Sequence, residues 1–154
     1  MARAALALIL LAGCGLVSKD FELEQEFQAG GLPSSSGSFD ASKISGPLSA
    51  DVSRISSITL KAARIEATDG KDVSLVSGAI ISVSTPNRIL PDAVLAKLDA
   101  AAPAGATSVQ LTVTGKELKP YIQANGAISA GINYSPTPVT ARTLKLVLTL
   151  HGAL

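Results

Sequence analysis

The chain has 154 residues, 13 Lys plus Arg against 12 Asp plus Glu, one His and one Cys. A single cysteine excludes an internal disulfide, and a formal net charge of +1 with no basic stripe argues against nucleic acid as a partner, since phosphate neutralisation supplies most non-specific affinity. Aromatics are only 3% with no Trp, so the core is aliphatic, and a chain of this length makes one domain that buries roughly 68–70% of its unfolded surface.

Met1-Ala2-Arg3 carries one positive charge, and Ala4 to Ala12 is continuously apolar. A charged start, a short apolar run and small residues after it describe a secretory signal peptide. Spanning a bilayer takes ~20 apolar residues, more than the run from Ala4 to Val17 supplies. The segment ends in Leu11-Ala12-Gly13-Cys14, which resembles the lipobox of bacterial lipoproteins. That resemblance covers only the first residues and implies cleavage between Gly13 and Cys14, lipid on the Cys14 thiol, and attachment to a membrane through that lipid. Small residues let the cleavage segment enter a narrow protease site, and the thiol takes the thioether. Gly15 stands where an Asp commonly retains such proteins in the inner membrane, which implies the outer membrane in a Gram-negative envelope. The expected organisation is a signal peptide over 1–13, a lipidated tether over 14–19 and one domain over 20–154. Losing residues 1–13 removes Arg3 alone among the charges, which leaves 12 basic and 12 acidic side chains.

Beyond the tether, Phe21, Leu23 and Phe27 alternate with Glu22, Glu24, Glu26 and Gln28, a period-2 pattern with one apolar and one acidic face. A charged face discourages edge-to-edge pairing, which suits an edge strand. Ala29 to Ser38 reads as a flexible loop, Phe39 to Ile44 as a short strand, and Pro47 to Ser53 as a turn or short helix. Ile58, Leu60 and Ala62 alternate, then the pattern resumes one residue late at Ala63, Ile65 and Ala67, which predicts a β-bulge. Asp69-Gly70 supplies a tight turn, and Ala79, Ile81 and Val83 mark the next strand.

Asp92 to Ala102 is the best helix candidate, with Asp92 as cap, Val94, Leu95 and Leu98 on one face, and Pro103 with Gly105 as the stop. A strand through Val94, Ala96 and Leu98 is the alternative. Val109, Leu111 and Val113 predict a strand, Lys116 to Tyr121 a turn, and Ile128, Ala130 and Ile132 a strand reaching Tyr134. After the Pro136-Thr137-Pro138 loop comes the clearest strand, with Leu144, Leu146, Leu148 and Leu150 on one face and Lys145, Thr149 and His151 on the other.

Six or seven short strands and at most one short helix predict an all-β, antiparallel β-sandwich, with a small barrel as the alternative. The pattern is similar to small immunoglobulin-like β-sandwich domains of envelope lipoproteins.

The inventory of reactive groups is short. The one cysteine is taken by the lipid that the lipobox implies. His151 sits on the polar face of the last strand, and no G-x-S-x-G elbow accompanies it, so a solvated surface histidine is expected there. Zinc wants three or four Cys, His or carboxylate ligands, and the chain offers one His and one thiol, the latter taken by the lipid. Asp69 with Asp72, and the run from Asp20 to Glu26, read as a turn and an acidic ridge, because alternate strand residues lie ~6–7 Å apart. Tyr121 and Tyr134 are the aromatics that could stack a sugar, or else core and turn residues. No catalytic, cofactor or metal site is therefore expected. The leading expectation is a lipid-anchored, non-enzymatic structural or interaction module of the cell envelope with a protein partner. An apolar-ligand carrier is the alternative, suggested by Ile80 and Val147 on nominally outward faces, and a Ser/Asp hydrolase is the weakest.

Overall fold

The computed structural model describes residues 18–40, 43–44 and 54–153. The Leu11–Cys14 box, with Gly13 and Cys14, and the Pro47–Ser53 turn lie outside the described residues. Eight strands follow one another: β1 (Ser18–Ala29), β2 (Ser34–Phe39), β3 (Ser57–Ala67), β4 (Val76–Ser84), β5 (Ala93–Lys97), β6 (Ser108–Val113), β7 (Ala127–Tyr134) and β8 (Arg142–Ala153). Among the described residues they are accompanied by helix α1 (Lys119–Gln123), a 3-10 turn at Pro86–Arg88 and helical backbone at Lys43 and Ile44.

Pairing is nested. β1 pairs with β8, β2 with β7, β3 with β6 and β4 with β5, all antiparallel. A long folded hairpin of this kind, wrapped so that β3 also meets β8 and β4 also meets β7, is a jelly roll. The sheet order is β1-β8-β3-β6-β5-β4-β7-β2, and a short β5–β6 contact of Ala96 with Val113 and Lys97 with Thr112 joins the two four-stranded halves. The all-β antiparallel expectation stands, and the order is that of a jelly roll rather than an immunoglobulin-like domain. β1 lies at one end of the order, as its charged face predicts.

The alternation of the sequence survives in the core. On β8, Leu144, Leu146, Leu148 and Leu150 are fully buried, opposite Phe27, Leu23 and Phe21 of β1 and Ile65, Ala63 and Leu60 of β3. From the other half come Ile81, Val83, Ile128, Ile132 and Phe39, all buried. Phe21, Phe27, Phe39, Tyr121 and Tyr134, which are all the aromatics of the chain, are buried too. The predicted bulge in β3 is present. Leu60 faces Leu150 and Ala62 faces Thr149, so Lys61 is the extra residue and projects outward.

Four expectations are corrected. Residues 92–102 form no helix, and the strand alternative is the right one: β5 covers Ala93–Lys97. Ile81 faces Ala96 while Ser82 faces Val94, so Leu95 is a bulged residue, and the bulge buries both Leu95 and Ala96. A lone short helix here would be marginal in water, whereas a strand satisfies open backbone groups on β4 and β6. The supposed flexible loop at Ala29–Ser38 contains β2, and the short strand expected from Phe39 onward instead ends at Phe39. Its Ser-Ser-Ser-Gly-Ser run has little strand propensity, and the ladder to β7 supplies what propensity does not. The turn expected at Lys116–Tyr121 gives way to α1, with Pro120 in its first turn, where a missing N–H costs nothing.

Candidate interaction surfaces

Ser18 faces Ala153, which also faces Ser57, so the start of β1 and the end of β8 share one end of the molecule. Ser18 and Lys19, expected to belong to the tether, are already in β1.

The outer face of β1, β8 and β3 is a lattice of charges. Arg64 reaches Glu22 at 3.0 Å and Glu66 at 3.2 Å, while Lys145 reaches Glu66 at 2.9 Å and Glu24 at 3.2 Å. The chain Glu22–Arg64–Glu66–Lys145–Glu24 thus crosses three strands. Lys145 first and Arg64 second hold the Glu66 carboxyl below its ordinary range, and Glu66 and Glu24 raise the Lys145 ammonium in return. Val147, opposite Glu24 on one side and Arg64 on the other, is fully buried beneath these converging side chains. Its outward parity therefore presents no apolar patch. The acidic ridge read from the sequence is mostly neutralised by partners that only the fold brings near.

His151 lies in a second small cluster. Its Nδ1 contacts Asp20 Oδ1 at 2.5 Å, and Lys61, thrown outward by the bulge, reaches Asp20 Oδ2 at 2.5 Å. The hydrogen bond from Lys61, then the contact with His151, lower the Asp20 carboxyl. His151 is consequently a half-exposed, paired residue rather than one simply bathed in solvent.

Asp69 and Asp72 form a staple. The Arg142 guanidinium donates to both oxygens of Asp69 at 3.0 Å and to the Asp72 carbonyl at 2.9 Å, tying the β3–β4 turn to the start of β8. Arg142, helped by the Lys71 amide, holds Asp69 at about 2. Asp72 accepts from the Ser74 hydroxyl at 2.7 Å. Among the described residues no cluster of three or more His, Cys, Asp or Glu could hold a metal ion.

Both tyrosines are core residues. The Tyr121 hydroxyl donates to the Pro91 carbonyl at 2.8 Å, and the Tyr134 hydroxyl is hydrogen-bonded to Ser35. With every aromatic buried, no ring remains on the surface to stack a sugar.

The end opposite Ser18 carries the β1–β2 and β7–β8 loops. The Gly31 amide donates to the Pro138 carbonyl at 2.9 Å, and the Tyr134 amide to the Pro33 carbonyl at 2.8 Å. Gly30 packs so tightly that a Cβ there would lie 2.8 Å from the Ala141 Cα. On these joined loops Leu32 is 65% and Val139 99% exposed. The sequence flagged the proline loop, but not that Leu32 would stand beside it.

In the other half, β2, β7 and β4 present an uncharged outer surface, bordered on β5 by Lys97, which stands opposite Ile80 and reaches Asp99 at 2.9 Å. Ser34, Ser36 and Ser38 of β2 face Asn133, Gly131 and Ser129 of β7, and beyond them lie Gly78, half-exposed Ile80 and Ser82 of β4. At the seam between the halves, the Gln25 amide lies where a side chain on Gly37 would be. Gln25 Oε1 is buried without a hydrogen-bond partner among the described residues. No pocket opens among the described residues, and no helix is long and apolar enough to cross a membrane.

No family model and no curated protein matches the chain. Among solved structures it is similar to the capsid protein of a decameric BFDV assembly, at 13% identity and a TM-score of 0.45, over 90% of this chain and 99% of that one. A structure of turnip yellow mosaic virus is similar at 12% identity and a TM-score of 0.34, over 100% of this chain and 90% of that one.

Proposed function

We propose that this chain is a lipid-anchored protein of the bacterial cell envelope whose jelly roll acts as a non-enzymatic structural or protein-interaction module. The observation that carries the anchor is the Leu11-Ala12-Gly13-Cys14 box behind a charged, then apolar, start. The module reading is supported by how the reactive side chains are spent. His151 and Asp20 belong to a surface ion-pair cluster, Asp69 staples a turn, and both tyrosines hold the core together. What remains free for recognition is backbone edge, joined loop tips and uncharged sheet, none of which needs placed catalytic groups. In a Gram-negative envelope the absence of an Asp at position 15 points to the outer membrane.

Intact mass of the membrane-extracted protein tests the anchor. Expected is the mass of residues 14–154 plus lipid, and release of the Cys14→Ala variant from the membrane fraction. An uncut N-terminus, or a Cys14→Ala chain still processed and membrane-bound, would overturn it. Native mass spectrometry on the same material tests the module: a co-purifying lipid beyond the anchor would move the reading to an apolar-ligand carrier. Turnover of an envelope substrate abolished by His151→Ala would make it an enzyme.

A further inference from the structure

The two ends of the sheet order, β1 and β2, differ in how they are guarded. Proteins blunt exposed strand edges with charges, prolines or bulges. β1 carries Asp20, Glu22, Glu24 and Glu26 along its exposed face. β2, Ser-Ser-Ser-Gly-Ser-Phe, has no charge and no proline, and its register with β7 runs unbroken from Ser34 to Phe39. Its free side has no ladder partner among the described residues.

The backbone groups on that side can be identified. The Tyr134 amide donates to the Pro33 carbonyl, so Pro33 with Tyr134 is a hydrogen-bonded pair of the β2–β7 ladder. Such pairs alternate in an antiparallel ladder. Ser35 with Ile132 and Gly37 with Ala130 are then hydrogen-bonded pairs as well, while Ser34, Ser36 and Ser38 turn their N–H and C=O groups outward. The same three side chains are exposed on the uncharged face.

We propose that β2 is a strand-pairing surface for a second copy of this chain, joined antiparallel about a two-fold axis at Ser36. Opposed residues must share a face, and this register obeys that rule: Ser36 meets Ser36 of the second copy, and Ser34 meets Ser38 of the second copy. It also matches every outward donor to an outward acceptor, two backbone hydrogen bonds per opposed serine pair. A register centred on Gly37 leaves Ser34 unmatched. Charge selects this edge over the other, because pairing β1 with a second β1 would set carboxylates against one another, and like charges opposed across a ladder repel. A two-fold contact needs a self-complementary surface, and an uncharged serine strand is one. The union makes one continuous sheet from two four-stranded halves. This names a partner for the module proposed above and does not depend on the lipid anchor, whose mass-spectrometric test is separate.

The test uses the full 154-residue chain with Cys14→Ser, which removes the native thiol. Sedimentation velocity over a range of concentrations is expected to show a monomer–dimer equilibrium. Opposed residues of a hydrogen-bonded antiparallel pair have Cα atoms about 5.5 Å apart, within disulfide reach. Ser36→Cys is therefore expected to form a covalent dimer on mild oxidation. Ser129→Cys, one strand inward on the same face, is expected to stay monomeric on a non-reducing gel. Ser36→Pro removes an outward N–H without touching the β7 ladder, so it should abolish the dimer and keep the far-UV spectrum. Should proline disturb the fold, Ser36→Lys places two ammonium groups against each other at the axis and is expected to abolish the dimer too. A chain monomeric at every concentration, a Ser36→Cys form that does not cross-link, or a dimer that survives both substitutions overturns the proposal.

Discussion

Single side chains in this protein divide sharply by which face of a strand they occupy. Leu148 and Thr149 are neighbours on β8, yet Leu148 is fully buried between Leu23 and Ala63 while Thr149 lies on the charged outer face. Leu148→Ala should cost ~2–5 kcal/mol, from lost transfer energy and the cavity left behind. Thr149→Ala should stay within about 0.5 kcal/mol, since its hydroxyl makes only a long, 3.4 Å hydrogen bond to exposed Glu22. Paired urea melts compare the two. Asp69 carries a different signature. Arg142 depresses its carboxyl from the ordinary 3.8 to about 2, so the folded form holds this group ionised where the unfolded chain binds a proton. The resulting stability is present above pH ~4 and is lost as the pH falls toward 2. Melting temperatures measured across that window should fall less steeply in Asp69→Asn than in the wild type, because the variant has no proton to take up there.

At the scale of elements, the strands whose inward residues alternate strictly were legible, and those that break alternation were not. β8 and β7 read directly, as did β3 with its bulge, because a one-residue slip at Ala62 and Ala63 leaves a visible phase shift. β5 misled because its own bulge makes Leu95 and Ala96 consecutive inward residues, and two adjacent apolar positions fit a helical face equally well. β2 was invisible because serine and glycine carry no hydrophobic signal; only Phe39 announces it. The connection from α1 into β7 turns on Gly126, whose amide donates to the Tyr121 carbonyl at 2.7 Å. A Cβ there would lie 2.7 Å from the Ser84 and Tyr121 carbonyl oxygens, both rigid backbone atoms, whereas one on Gly131 in β7 meets nothing within 4 Å. Gly126→Ala should therefore cost about 1–3 kcal/mol through forced backbone shifts, and Gly131→Ala should be near neutral. Thermal melts of the two variants make the comparison.

Across the whole molecule, β8 is the hub. It pairs along its length with β1 on one side and with β3 on the other, its core-facing leucines are fully buried, and the charge lattice lies over its back. Native-state hydrogen exchange should place the slowest amides in the middle of β8, while the outward amides of Ser34, Ser36 and Ser38 exchange far faster than those of Ser35 and Gly37 in dilute solution. Equal protection along β2 at low concentration would mean that the assigned ladder parity is wrong. The dimer axis proposed at Ser36 runs perpendicular to the sheet and sends the two Ser18 ends in opposite directions.

Much of the outcome was written in the sequence. Period-2 alternation, an aliphatic composition and closely spaced turn signals were enough for an all-β antiparallel fold, because the inward face of each strand must be apolar whichever strand it meets. The same text carries the Cys14 box, a local motif that needs no fold to be read. Tertiary structure decided what depends on partners distant in the chain. It paired each strand with its nested counterpart and so made a jelly roll. It turned an acidic strand into a lattice neutralised by Arg64 and Lys145, buried both tyrosines, and left β2 as the unguarded edge. The physical reason is that burial is a local demand which each residue states for itself, whereas pairing, charge compensation and edge exposure are properties of two segments at once.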